Sequence, residues 1–148
     1  METLALWLHI VASAAWLGGN LMALLLPGLL SPSGPPAMLA LGRANLVLSR
    51  IFFIPAALLT LVTGIWLVVL VDYGWGDTFV TVGFTAVIVI AFGSLGVLVP
   101  TGKKMLAAME AGDGPTAQAL APRQRYVSTI NALVLLVTVY AMVARWGA

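Results

Sequence analysis

Cysteine is absent, so disulfides, thiolate metal centres and thiol nucleophiles are excluded. Charge is scarce. Only 8% of residues are Asp, Glu, Lys or Arg, where a soluble domain carries about 25%. The apolar segments contain no carboxylate and no lysine, which removes paired-acid hydrolysis and an intramembrane proton relay. No phosphate-binding loop and no nucleophile–base set is present. The formal net charge is only +2 and no basic run occurs, so nothing points to nucleic acid. Histidine is reduced to one residue, His9.

What the chain does have is apolar length. Hydrophobic residues make up 61% of 148, enough for one all-α integral membrane domain and too apolar for a soluble surface. Four spans are predicted, at about 4–26, 51–71, 78–99 and 126–144. The first opens with Met1, Glu2 and Thr3 and has no basic leader, so it reads as a permanent helix rather than a cleaved signal. Pro27 and Gly28 are expected to end it, and the segment from Leu29 to Ala37 reads as a turn. A helix should restart at Pro35 or Pro36, with Pro55 as a kink. Pro100 and Gly102 are expected to end the third span. The polar segment from Thr101 to Arg125 follows, with KKMLAAME as an interfacial helix.

Arg43, Arg50, Lys103, Lys104, Arg123 and Arg125 all fall between spans one and two or between spans three and four. The positive-inside rule makes those two long loops cytoplasmic and both termini outside. Trp7, Trp66, Tyr73, Trp75, Tyr140 and Trp146 then form an aromatic belt at the outer ends. A shift of 75 residues pairs Gly18 with Gly93, Arg50 with Arg125 and Leu61–Thr63 with Leu136–Thr138. Such an offset reads as a parallel repeat of two hairpins, with His9 opposite Phe84. Ala15, Gly19, Ala23, Gly64, Gly93 and Gly96 are the expected sites of close helix approach.

The chain is organised around LHIVASAAWLGGN, Leu8 to Asn20. On a helix, His9, Ser13, Trp16 and Asn20 fall within about 60° of one another. A titratable ring roughly 8 Å inside a span faces other helices or a cavity. Two readings stand for His9: a ligand to haem iron or copper through a neutral imidazole nitrogen, or a packed, hydrogen-bonded side chain. Asn131, Thr138 and Met142 share a face of span four within about 40°, and Met142 lies near the depth of His9. A His9–Met142 pair would suit haem or a copper ion; apolar filling is the plain alternative for Met142. Trp16 reads as a wall for a planar ligand or as an inter-helix contact. Asn20 reads as a partner for a ligand's polar edge or as an inter-helix amide. Arg43, Arg50 and Arg125 read as contacts for haem propionates or lipid phosphates, or as topology anchors. Thr60, Thr63, Thr81 and Thr85 carry little weight, because membrane threonines bond their own backbone.

Leu8, His9, Trp16, Gly18 and Gly19, with Arg50, Pro55, Ala56, the stretch LVTGIWL, Pro100 and Met142, resemble a bacterial membrane family. It includes CopD-type copper-resistance proteins, HemJ-type protoporphyrinogen oxidases and uncharacterised relatives. The resemblance implies a four-helix inner-membrane fold and a haem-ligand role for His9. HemJ-type enzymes carry a lysine within a later membrane helix. Here the third span has none, and Lys103 and Lys104 come after Pro100, a departure that weakens the expectation of protoporphyrinogen oxidation. CopD-type proteins are longer and richer in histidine and methionine. The resulting expectation is a b-type haem held through His9 in a homo-oligomer or a subunit of a larger membrane complex, for electron transfer or haem handling. Copper handling and a non-catalytic accessory role are the alternatives.

Overall fold

The computed structural model describes residues 1–147. Among them there is no strand. Four helical rods cover Glu2–Ser33, Pro35–Val71, Thr78–Glu110 and Gly114–Val143, and each is long and apolar enough to cross a membrane. The chain is a multi-pass membrane protein built as a four-helix bundle. In order, the helices are α1 (Glu2–Leu30), α2 (Pro35–Leu48), α3 (Ile54–Val71), α4 (Thr78–Gly93), α5 (Val99–Glu110) and α6 (Gly114–Val143).

The rods outrun the predicted spans. The second has 37 residues, about 55 Å at the rise of an α-helix, against roughly 30 Å of hydrocarbon. The two expected long loops are therefore mostly helix, joined by tight turns. Pro27 does not end α1, which runs on to Leu30 and a 3-10 turn at Ser31–Ser33. The break falls at Gly34, whose φ of +84° favours glycine, and Pro35–Pro36 then fill the first turn of α2. Pro100 and Gly102 lie inside α5 and do not stop the third rod. The second turn is at Gly112, φ +74°. Asp113 caps α6 there by accepting the Thr116 N–H at 3.0 Å. Hydrogen bonds from Thr116, its side chain first and its backbone second, hold the Asp113 carboxyl below the usual carboxylate range.

The prolines act one step earlier in the chain than expected. Each middle rod contains a π turn, Ser49–Phe53 ahead of Pro55 and Ser94–Leu98 ahead of Pro100. Ile54 N–H reaches back to Ser49 O, and Val99 N–H to Ser94 O, each five residues away. A proline has no N–H and its ring crowds the carbonyl four residues before it. Widening the helix by one residue relieves that crowding without breaking the rod.

Rods one and two form one hairpin, rods three and four the other, and α1 against α6 joins the hairpins. Both termini and the 72–77 loop lie at one end, where Phe79 N–H donates to Trp146 O at 3.0 Å. The opposite end carries the Gly34 and Gly112 turns and six of the seven Lys and Arg residues, and is called here the basic end. There α2 packs on α5, with Leu106 against Gly42 and Leu46 against Gly102. An exposed ion pair, Arg43 to Glu110 at 2.9 Å, adds about 0–1 kcal/mol.

All four rods meet at one cluster. Trp16, Ile90 and Leu135 are buried there, with Leu17, Phe53, Ala56, Ala57, Val87 and Val134 packed around them. A second cluster near the termini joins Val68, Phe79 and Val80 to Tyr73, Phe84 and Met142. On α1 the most buried residues are Ala5, Ala12 and Trp16. Together with His9 their spacing is four, three, four, which is the seam of a left-handed helix pair. His9 thus sits inside the packing face of α1.

Candidate functional site

His9 is half-buried and turned toward α3. Its Nδ1 lies 3.0 Å from Thr60 O and 3.0 Å from Thr63 Oγ1. A carbonyl only accepts, so Nδ1 carries the proton and donates. The Thr63 hydroxyl donates to Leu59 O at 2.6 Å, which leaves its lone pairs facing the same Nδ1–H. Gly64 makes room for the ring: a Cβ there would stand 3.2 Å from His9 Cε1. Small residues on both helices, Ala5 and Ala12 on one and Gly64 on the other, bring the backbones close enough for the bond.

This tether fixes the tautomer. With Nδ1 protonated, the neutral ring keeps a lone pair on Nε2. Nε2 makes no hydrogen bond among the described residues. A metal-ligating histidine shows this arrangement, one nitrogen donating to a backbone carbonyl and the other free to coordinate. Thr60 Oγ1 is buried without a partner beside the same carbonyl.

The other stripe residues do not converge on Nε2. Trp16, 5% exposed, belongs to the central cluster where the rods meet, which is the inter-helix contact and not a free wall. Asn20 donates to Trp16 O at 2.9 Å within its own helix. The inter-helix amide is Asn131 instead. It is 1% exposed, lies over Gly93 and donates from Nδ2 to Ser94 Oγ at 3.1 Å. Met142 lies against Gly83 of α4 and packs on the Val68–Phe79–Val80 cluster, which draws on both α3 and α4. Arg43 is occupied by Glu110, whereas Arg50 and Arg125 are exposed without an acidic partner among the described residues. No group of three or more His, Asp or Glu side chains that could hold a metal ion occurs among the described residues.

Compared with family models, curated proteins and solved structures, the chain matches none of them. The site therefore rests on its own geometry. That geometry offers one oriented imidazole with one nitrogen that makes no hydrogen bond among the described residues, inside an apolar bundle. Among the described residues it gathers no group of three or more His, Asp or Glu side chains. The residues the sequence undervalued are Thr60 and Thr63. Thr63 does bond its own backbone, as expected, and accepts from His9 as well. Under the 75-residue shift, its counterpart Thr138 bonds Val134 O at 2.7 Å in the same way. Phe84, the counterpart of His9, stacks on Trp75.

Proposed function

We propose that the protein is a multi-pass membrane protein in which His9 would hold a b-type haem through its free ring nitrogen, for electron transfer or haem handling. One observation carries this reading: Thr60 O holds Nδ1–H, so Nε2 is left as an oriented lone pair. The resemblance of LHIVASAAWLGG to the CopD- and HemJ-type family supports it. Haem would supply a one-electron couple, and the chain would supply ligation and an apolar surround. His9 binds and orients; Thr63 and Gly64 hold the ring in register. His9 would hold the group, and any further protein ligand, Met142 of this chain or a residue of another copy, would complete it. Copper on the same nitrogen is the alternative, since copper also accepts imidazole.

The decisive measurement is an absorption spectrum of the purified protein after haem addition. We expect a Soret band that is lost in His9→Ala and shifted or weakened in Thr63→Val. No Soret band, or one unchanged in His9→Ala, removes the haem reading. Stoichiometric copper without a Soret band would favour the copper alternative. A melting temperature lowered in His9→Ala, with neither ligand bound, would reduce the site to a helix tether in an accessory subunit.

Sidedness belongs to the same proposal. The basic end faces the cytoplasm of a bacterial inner membrane, by the excess of Lys and Arg there. The absence of native cysteine makes this simple to measure. Single-cysteine variants Gly76→Cys and Ser33→Cys should differ. An impermeant maleimide should label Gly76→Cys in intact cells and Ser33→Cys only after lysis. The reverse pattern would invert the topology.

A further inference from the structure

The basic end carries six cationic residues and two acids, Glu110 and Asp113. Glu110 is taken by Arg43 and Asp113 by the start of α6. Arg50 is left with no acid, in the π turn where α2 passes into α3. It lies 21 residues before Val71, roughly 30 Å along the rod, which is one hydrocarbon thickness. With Val71 and Asp72 at one membrane face, Arg50 stands at the headgroup level of the other.

A shallow groove of about 380 Å³ opens beside it, lined by Leu46, Val47, Arg50 and Ile51. Val47 and Ile51 are exposed, at 56% and 67%. Leu46 also lies in van der Waals reach of Gly102 of α5. The site thus joins one unpaired guanidinium, at phosphate depth, to an apolar surface one helical turn long. A long arginine extends along such a surface and keeps its head at the polar boundary. A planar guanidinium matches two phosphate oxygens at once. An acyl chain packed along Ile51 and a phosphate on Arg50 fit these two halves together; a soluble anion would use only one.

We propose that this groove is a binding site for an anionic phospholipid of the basic-end leaflet, with Arg50 as its phosphate ligand. The test uses the full chain in mild detergent, titrated with dioleoyl phosphatidylglycerol or dioleoyl phosphatidylcholine and read by native mass spectrometry. Wild type should retain one phosphatidylglycerol and little phosphatidylcholine. Arg50→Gln should lower phosphatidylglycerol retention about five- to tenfold, and Arg123→Gln, which removes the same charge elsewhere on that end, less than about twofold. Inorganic phosphate at equal concentration should displace none of it. Arg50 is exposed and makes no hydrogen bond among the described residues, so both variants should melt as wild type does. Equal losses in the two variants would reduce the effect to diffuse surface charge. Displacement by phosphate, or equal retention of phosphatidylcholine, would equally overturn the proposal.

Discussion

Trp16→Ala is expected to destabilise the bundle by about 3 kcal/mol, the largest effect of any single truncation in the chain. The indole is 5% exposed and belongs to the cluster that draws residues from all four rods. In a bilayer, lipid tails are as apolar as leucine, so burial of Trp16 gains little from leaving water. What it contributes is packing. An indole cut to a methyl removes on the order of 140 Å³, and at about 24 cal/mol per Å³ of residual cavity this gives the figure above. Unfolding in mixed detergent micelles, followed by circular dichroism, measures it. Trp16→Phe should cost less than half as much. A loss below about 1 kcal/mol in Trp16→Ala would mean that the four rods do not converge on this side chain.

The second large effect is expected at Gly19. A Cβ there would stand 2.7 Å from Cε1 of Phe52 and 2.7 Å from Cε1 of Phe53. Each ring alone has room to swing. The two rings are packed edge to face at 5.5 Å, however, and Phe53 also touches the central cluster, so neither moves freely. Gly19→Val should therefore cost about 2–3 kcal/mol by overpacking and loosen the first hairpin. The neighbouring glycine provides the control. A Cβ on Gly18 meets nothing within 4 Å, so Gly18→Ala should fall within about 0.5 kcal/mol of wild type. Two adjacent glycines with opposite tolerance are hard to obtain from any other register of α1 on the second rod. Equal responses would discard this register.

Composition and hydropathy were enough to read the class of the molecule, because a chain with so few charges has one way to satisfy its backbone in lipid. The inward turn of His9 was also legible, since its stripe is visible on a helical wheel. Its partners were not. Thr60 and Thr63 lie 51 and 54 residues away, and the pairing depends on how α1 and α3 slide past one another. Local sequence does not encode that slide; Gly64 and the small seam residues do, only once the helices are docked. Met142 shows the same limit. Its depth could be estimated from residue count, but its azimuth follows from Gly83, the gap that accepts it. The rod ends were misjudged for a different reason. Pro100 and Gly102 have the composition of a stop. The π turn ahead of Pro100 accommodates the proline ring and lets the helix continue to Glu110.

Those two π turns set a phase. Each amounts to an α-helix with one residue to spare, and the spare residue turns everything beyond it by roughly 100° about the rod axis. The membrane-facing part of each middle rod and the part that projects past it are thereby independent in azimuth. α2 and α5 close on each other at the basic end, while α3 packs chiefly on α1 and α4 chiefly on α6 deeper in. Two serine-to-proline intervals of equal length, Ser49 to Pro55 and Ser94 to Pro100, let one pair of rods present one face at the base and another in the membrane.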